Sequence, residues 1–302
     1  MTDFRLRTFI QVCREKSFTR AAETLHITQP AVTQHIKFLE EDLGQPLLEI
    51  RGRSVVPTRE GEILLHYAET AEADARRTRE RIASGGASPS LRFGATRTIG
   101  EFVMPPYLAD WARERPNASV SMTVDNSDAL FRALHSGELD FLFVEGIFDR
   151  DAYSSDLLFR DAMVAVCRPN HPLAGTCTRK TVGIGDILGE TLIVRESGSG
   201  SRQLVERALG ACNRTLASFA RILEIGNIGA IKRLVAEGTG IAFLYESSVA
   251  RELTRGELSA VALRDFAIAH DYSFVCLKDS LYEGEFREFL AYCKTRAPRK
   301  TM

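Results

Sequence analysis

Apolar residues recur at helical spacing in three short runs near the N-terminus of this 302-residue chain. The runs are Leu6, Phe9, Ile10 and Cys13; Phe18, Ala21, Ala22 and Leu25; and Val32, Ile36, Leu39 and Leu43. This spacing places each set on one face of a helix. Only three residues, 26–28, separate the second run from the third, so the sequence predicts a helix–turn–helix.

The third helix has well-defined ends and an uncharged polar face. Thr28 is suited to cap its start, and Gly44 is suited to end it. The face opposite the apolar positions consists of Gln29, Pro30, Thr33, Gln34 and Lys37. Together with Thr28, these residues resemble the start of a recognition helix, which contacts base edges in the major groove. An ordinary solvent-exposed helix face can have the same composition, so this pattern alone does not decide between the two.

Two further elements follow before the pattern changes. Residues 47–58, LLEIRGRSVVPT, predict a β-hairpin wing, with Arg51 and Arg53 flanking Gly52 where they could reach phosphates or a minor groove. Residues 59–83 predict one long helix. Its apolar and small positions, spaced 4-3-4-3-4, are Leu64, Ala68, Ala71, Ala75, Thr78 and Ile82. Such a seam predicts pairing with the same helix of a second subunit, although packing on its own domain is the alternative.

The Gly/Ser/Pro-rich residues 84–90 are typical of a linker, and beyond them the pattern predicts strands that alternate with helices. That alternation predicts an α/β domain. Three of its strand-to-helix turns are rich in Ser, Thr and Gly, and ligands of such domains lie beside turns of this kind. The residues expected to bind a ligand there are Thr96, Arg97, Thr98, Ser197, Ser199, Ser201, Arg202 and Asn227. Free N–H groups at helix starts and two arginines favour a small anion, whereas simple capping turns are the alternative.

Composition narrows the function classes. The net charge of −1 gives no general sign of nucleic-acid binding, so local geometry must carry that prediction. The six cysteines have no zinc-binding spacing, and no apolar run approaches the length of a membrane span. We find no GxSxG, HExxH or phosphate-binding P-loop motif. The sequence therefore predicts a soluble cytoplasmic protein that is not an enzyme and has no metal or cofactor.

The segment FTRAAETLHITQPAVTQHIKFLEEDLGQPLLEIRGRSVVPTREG, residues 18–61, resembles the DNA-binding domain of LysR-type transcriptional regulators. Its FTxAAxxL, QPAVxxxIxxLE and LGxxL motifs stand in the order that this family shows. Residues 170–174, NHPLA, and 234–244, LVAEGTGIAFL, also resemble family segments. The QHIK sequence, residues 34–37, is similar to a subgroup that includes regulators of sulfur assimilation and carbon fixation.

The resemblance implies an α+β winged helix–turn–helix with a long linker helix, followed by an α/β effector domain similar to type 2 periplasmic binding proteins. The expected boundaries are 1–58 for the DNA-binding domain, 59–89 for the linker helix and hinge, and 90–302 for the effector domain. Subdomain I would comprise 90–162 and 266–302, and subdomain II 163–265. The implied partners are double-stranded operator DNA, a small effector between the subdomains and further copies in a homodimer or homotetramer; RNA polymerase is another candidate.

Two other function classes stay open at this point. One is a cytosolic binding protein or enzyme with an added helical domain, although a wing and an Ala-rich heptad serve no catalytic pocket. The other is a redox-sensing regulator that uses Cys177 and Cys212, with Arg179 and Lys180 close to the first cysteine.

Overall fold

A computed structural model describes residues 3–83, 85, 90–174 and 182–296. The N-terminal elements are α1 (Phe4–Glu15), α2 (Phe18–Leu25), α3 (Gln29–Leu43), β1 (Leu48–Arg51), β2 (Ser54–Pro57) and α4 (Arg59–Ala83). The three helices, the hairpin and the long helix are the elements that the sequence predicts. Most of the 84–90 linker lies outside the described residues.

Local capping explains where the short helices begin and end. The Ser17 hydroxyl accepts a hydrogen bond from Arg20 N, and Thr28 Oγ1 accepts one from Ala31 N. His26 and Gly44 both adopt left-handed backbone conformations just after a helix. Because an L side chain rarely adopts that conformation and glycine does so freely, Gly44 is a natural stop. The turn between α2 and α3 is therefore held at a defined angle.

The effector domain contains nine strands and six α-helices among the described residues. In chain order they are β3 (Ser90–Thr96), α5 (Met104–Glu114), β4 (Ser119–Asp125), α6 (Ser127–His135), β5 (Phe141–Val144), β6 (Tyr153–Cys167), β7 (Thr191–Val194), α7 (Gly200–Ala211), β8 (Arg221–Glu224), α8 (Ile228–Ala236), β9 (Ile241–Tyr245), α9 (Glu246–Thr254), β10 (Ser259–Val261), β11 (Ile268–Leu277) and α10 (Glu283–Thr295). A π-helical turn, Ile99–Val103, leads into α5.

The strand order divides the effector domain into two α/β halves. The order is β4-β3-β5-β11-β6-β9-β7-β8, with β10 paired to β6. The neighbours β4, β3 and β5 are parallel, as are β9, β7 and β8, while β11 and β6 are antiparallel to each other in the middle. The predicted subdomain boundary at 162/163 lies inside β6, and the one at 265/266 lies just before β11. The strand β6 thus continues from subdomain I into subdomain II, where it pairs with β9, whereas β11 lies within subdomain I.

An aromatic cluster forms the core of subdomain I. Phe93 and Phe141 stack with ring centroids 5.1 Å apart, and Trp111 meets Phe289 edge-to-face at 5.0 Å. All but Trp111 are fully buried, and Trp111 is 5% exposed. Packing of this kind makes the ends of β3 and β5 a rigid platform.

The long helix α4 packs on its own effector domain. Asp74 accepts hydrogen bonds from Ser280 Oγ at 2.6 Å and Leu281 N at 2.8 Å, and the hydroxyls of Thr78 and Tyr282 are 2.7 Å apart. This face of α4 therefore packs on its own chain, which was the alternative to subunit pairing, and its cover comes from the effector domain. Thr78 belongs to the predicted subunit seam, yet it faces the same chain.

A smaller stripe of α4 faces outward. Tyr67 is 61% exposed and Ile82 is 70% exposed, with the partly buried Ala71 and Ala75 between them at helical spacing. Ala68, another predicted seam residue, is fully buried within the chain. The surface available to a second subunit therefore differs from the predicted seam: it lacks Ala68 but keeps the two central alanines, Ala71 and Ala75.

Buried charges fasten α4 to subdomain I. Arg77 Nη1 lies 2.5 Å from Asp140 Oδ2, Arg92 Nη2 lies 2.8 Å from Asp140 Oδ1, and Arg77 also pairs with Glu285 at 3.3 Å. Burial raises the pKa of Asp140, and the two guanidinium groups offset part of that rise. A carboxylate shared by the buried Arg77 and the partly buried Arg92 cannot be removed without leaving charge unpaired in a poorly solvated place.

Asp140→Asn should therefore lower the free energy of unfolding by ~3 kcal/mol, because Arg77 and Arg92 lose their common counter-charge. The matched control is Glu80→Gln, since Glu80 pairs with Arg92 but is half exposed, and it should cost less than ~1 kcal/mol. Urea unfolding followed by circular dichroism measures both. Equal losses for the two variants would show that the buried ion pairs do not hold the helix.

Candidate DNA-binding surface and effector cleft

The helix α3 buries one face and presents the other to solvent. Val32 and Ile36 are in the N-terminal core, whereas Gln29, Gln34 and Lys37 are exposed. Gln29 Nε2 donates to Thr33 Oγ1 at 3.0 Å, so this pair is already ordered on the surface. The side chains of Gln34 and Lys37 make no hydrogen bond with another described residue and are available to a partner.

The wing packs against the same N-terminal core as α3 and carries exposed cations. Gly52, at φ +65°, makes the turn of the β1–β2 hairpin. Arg51 pairs with Glu49 at 2.6 Å and is 74% exposed, and Arg53 is exposed at the tip. Val55 N donates to Lys16 O at 3.1 Å, which ties the wing to the turn between α1 and α2.

The predicted DNA contacts thus lie on the solvent-facing surface of one small folded unit. Thr28 and Pro30 occupy the exposed start of α3, although the Thr28 hydroxyl also serves as the helix cap at 3.4 Å from Ala31 N. The remaining predicted contacts lie along α3 or in the hairpin. A helix start and a cationic hairpin on one unit can engage a groove and the adjacent phosphates together.

In the effector domain, the end of β5 meets the start of α7, with the end of β3 close by, where the two predicted subdomains join; this junction is termed the cleft. Thr96, Thr98 and Glu145 are buried on the subdomain I side. Thr96 Oγ1 donates a hydrogen bond to Glu145 Oε2. On the opposite side Gly200 approaches so closely that a Cβ atom there would lie 3.0 Å from Glu145 O. Only glycine fits this contact without displacing backbone.

Glu145 is the most perturbed carboxyl group of the cleft. Its burial raises the pKa to about 7, and its own backbone N–H, the positive charge of Arg195 and the Thr98 hydroxyl offset only part of that rise. Near neutral pH this group therefore exchanges between a neutral acid and a carboxylate. It can both donate and accept a hydrogen bond over the physiological range.

A second carboxylate lies at the mouth of the cleft. Arg195 donates to Glu196 through Nε at 2.8 Å and Nη2 at 2.9 Å. Arg97, which comes from subdomain I, donates to Gly226 O at 2.9 Å and has its Nε 3.8 Å from Glu196 Oε1. Arg97 is thus a direct polar connection from one side of the cleft to the other.

The structure divides the predicted effector contacts into two groups. Thr96, Arg97, Thr98, Ser199 and Ser201 lie at the cleft, and the two serine hydroxyls are buried 2.9 Å apart. The other three have polar groups engaged elsewhere, and they are Ser197, Arg202 and Asn227.

Each residue of that second group has a structural partner. Ser197 N donates to Glu224 at 3.4 Å, and Arg202 donates to Glu206 at 2.8 Å and to Glu224 at 2.6 Å. Asn227 Oδ1 caps α8 by accepting from Ala230 N at 2.8 Å. A ligand could use the Arg202 guanidinium or the Asn227 carbonyl oxygen only by displacing those partners.

Sequence reasoning missed Glu145, Arg195, Glu196 and Tyr245. Tyr245 is 1% exposed, and its hydroxyl has no hydrogen-bond partner among the described residues. The sequence does carry a signal for Glu145 and Arg195, because each is a charged residue that directly follows a wholly apolar run, FLFV or LIV. Such a residue must find a counter-charge or a proton when the strand end is buried.

The cysteines give the redox alternative no support so far. Cys177 lies outside the described residues, and Cys212 is partly buried at the end of α7. Burial raises the pKa values of Cys13, Cys276 and Cys293 to about 12. Those three thiols stay protonated at neutral pH and are poor nucleophiles. The Cys177–Cys212 prediction itself remains untested.

Among the described residues, no group of His, Cys, Asp and Glu side chains could hold a metal ion. None of the described helices is both long and apolar enough to cross a membrane.

Comparison with known families identifies both parts of the chain. Residues 4–62 match the model described as "Bacterial regulatory helix-turn-helix protein, lysR family", and residues 84–298 match the one described as "LysR substrate binding domain". The chain belongs to the LysR family. It is therefore a DNA-binding transcriptional regulator with an effector-binding domain, and the family and fold predicted from its sequence are confirmed.

Several regulators are similar to this LysR-family chain over nearly its whole length. CysL of Bacillus subtilis is 28% identical over 89% of both chains, and the RuBisCO operon transcriptional regulator of Allochromatium vinosum is 29% identical over 95% of this chain and 94% of its own. CmpR of Synechocystis is 30% identical over 94% and 92%. The predicted resemblance to the sulfur-assimilation and carbon-fixation subgroup is thereby confirmed.

Solved structures agree on the fold. The regulatory domain of Synechocystis CcmR in complex with 2-PG is 25% identical and superposes with a TM-score of 0.62, over 70% of this chain and 99% of that one. Full-length LysG of Corynebacterium glutamicum with bound effector Arg superposes at 0.65 over 98% of each chain, at 16% identity. The latter likeness concerns the fold alone.

The raised pKa of Glu145 predicts a pH-dependent stability. A carboxyl group whose pKa rises on folding stabilises the native state fully below its unfolded value of 4.5, and this contribution is lost as the pH rises through about 7. Glutamine cannot ionise. As the pH rises from about 5 to 8, the free energy of unfolding of Glu145→Gln should therefore increase relative to that of the wild type by up to ~3 kcal/mol.

Urea unfolding at several pH values measures the difference. Glu237→Gln removes an exposed carboxylate at the end of α8 and should track the wild type throughout. A constant difference between Glu145→Gln and the wild type at every pH would mean that Glu145 does not titrate in this range.

Proposed function

We propose that this chain recognises a specific operator through α3 and the wing. The observation that carries the proposal is an exposed helix start of uncharged hydrogen-bonding side chains in the same small folded unit as a cationic hairpin, in a chain whose net charge is only −1. Gln29, Thr33, Gln34 and Lys37, with Thr28 and Pro30 at the helix start, are the proposed groove contacts. Arg51 and Arg53 are the proposed contacts to phosphates or the minor groove.

We further infer that its effector is a small anionic metabolite bound in the cleft. Arg97 and Arg195 supply guanidinium groups there, and Thr96, Thr98, Ser199 and Ser201 supply hydroxyls. The similar CcmR regulatory domain was solved with 2-PG, which supports an anion. Both arginines contact the carboxylate of Glu196, so an anion has to compete with it.

The proposed assembly is a homodimer, or a homotetramer built from such dimers, in the cytoplasm. Two DNA-binding domains are needed to contact two half-sites, and the outward stripe of α4 with Tyr67, Ala71, Ala75 and Ile82 offers a surface for pairing. RNA polymerase is a further proposed partner of the DNA-bound form.

Gln34→Ala should relax base preference at one base pair of each half-site, because the lost amide contact with adenine is worth ~1–3 kcal/mol. Arg53→Ala should instead weaken binding to all sequences and lower the salt slope by about one. Gln203→Ala, on the exposed face of α7, is the control. Fluorescence anisotropy with operator variants at several salt concentrations distinguishes the effects. Unchanged affinity and preference in Gln34→Ala would refute this placement of α3.

Replacing Ala71 and Ala75 together by glutamate should convert the assembled protein to monomers, because it brings like charges into a close helix contact. Ala83→Glu adds a charge at the exposed end of the same helix and should leave the assembly intact. Sedimentation velocity gives the mass of each species. A double variant with the wild-type mass would rule out this stripe as the subunit contact.

A further inference from the structure

The positive charges at the mouth of the cleft are matched by the chain's own carboxylates. Glu196 receives two hydrogen bonds from Arg195 and lies 3.8 Å from Arg97 Nε. Arg202, farther out, is taken by Glu206 and Glu224. Arg97 and Arg202, the two arginines that the sequence predicts as effector contacts, thus already contact a carboxylate or a carbonyl of the protein.

Glu196 differs from the other two carboxylates because its contacts span the cleft. Arg97 follows β3 in subdomain I, while Glu196 follows β7 in subdomain II. A Cβ atom on Gly226 would lie 3.6 Å from Glu196 Oε2, so the carboxylate rests against the turn whose carbonyl also binds Arg97. Glu206 and Glu224, by contrast, hold Arg202 within subdomain II.

The electrostatics favour a bound anion at this position in any state of the protein. The Arg195 side chain is 7% exposed, and a buried guanidinium without a counter-charge is strongly unfavourable. Arg195 and Arg97 also hold the pKa of Glu196 below its usual value against the opposing effect of burial, so it is ionised at neutral pH. The guanidinium groups of Arg195 and Arg97 can thus bind either the carboxylate of Glu196 or an external anion in its place.

We propose that Glu196 is an internal substitute for the anionic group of the effector, and that its contact with Arg97 holds the cleft closed when no effector is bound. This inference rests on the proposed function, in which an anion binds in the cleft. The effector's anionic group displaces Glu196 from Arg97 and takes over the guanidinium. Because one anion replaces another, the effector gains only the difference between the two interactions, which keeps binding weak and reversible.

Glutamine at position 196 is the sharpest probe of this exchange. It keeps the shape of the side chain and one acceptor oxygen but loses the charge that competes with the effector. In the full-length protein, Glu196→Gln should bind a cleft anion about tenfold more tightly than the wild type. Adding Arg97→Gln should abolish that gain, because the guanidinium that changes partners is gone.

Isothermal titration with 2-PG, inorganic phosphate and sulfate measures the affinities. Glu257→Gln removes a carboxylate that pairs with Arg255 away from the cleft, and it controls for the change in net charge. Glu224→Gln removes the carboxylate that holds Arg202. A tenfold gain in Glu196→Gln alone supports the inference. A gain in Glu224→Gln instead would place the anion at Arg202 and overturn it.

Hydrogen exchange without any anion provides the second readout. Release of Arg97 should speed exchange of the backbone amides at 96–98 and 226–228 in Glu196→Gln, but not in Glu257→Gln. Unchanged exchange there would overturn the proposed role of Glu196 in closing the cleft.

Failure of this inference is separable from failure of the proposed function. If the wild type binds one of the anions and Glu196→Gln binds it no better, the substitute role is wrong while an anionic effector stands. If neither protein binds any of the three anions, the inference and the anionic effector both fall. Operator binding, measured separately by anisotropy, tests the DNA-binding role in either case.

Discussion

The antiparallel pairing of β6 with β11 is the constraint on which the effector domain depends. It runs through ten residue pairs, from Tyr153 opposite Leu277 to Met163 opposite Ile268, with one irregularity between Tyr272 and Ser273. Because β6 continues to Cys167 and pairs with β9 of subdomain II, it joins the two halves of the domain. Asp161 of β6 reinforces the pairing with β11 by accepting from the Tyr272 hydroxyl at 2.9 Å. The two sides of the cleft are therefore connected through one continuous strand.

The DNA-binding unit is attached to one side of that cleft. The helix α4 contacts Asp140, Ser280 and Tyr282, all in subdomain I. His135 adds a three-way junction, because its carbonyl accepts from Arg14 of α1 at 2.9 Å and its ring nitrogens lie 2.6 Å from Glu69 and 2.8 Å from the Tyr153 hydroxyl.

It follows that α1, α4 and subdomain I are linked through polar contacts, while subdomain II is linked to them through β6 and through Arg97. A movement at the cleft would therefore displace subdomain II relative to the DNA-binding unit. Within an oligomer such a shift would change how neighbouring subunits meet, and a ligand can drive it only by binding one arrangement better than the other.

The sequence predicts the N-terminal elements closely because their determinants are local. Helical period, a capping Thr28 and a stopping Gly44 lie within a few residues of the boundaries that they set. The cleft is harder to predict because its contacts join distant positions: Arg97 and Gly226 are 129 residues apart, and Thr96 and Glu145 are 49 apart. Asn227 shows the ambiguity directly, since an asparagine before a helix suits both a ligand contact and the cap that it forms here.

The two carboxyl groups beside Arg195 show how one cation can serve two purposes. Burial dominates at Glu145 and raises its pKa to about 7, whereas paired guanidinium groups dominate at Glu196 and lower its pKa. At neutral pH Glu196 therefore supplies the negative charge that Arg195 requires, and Glu145 is partly protonated.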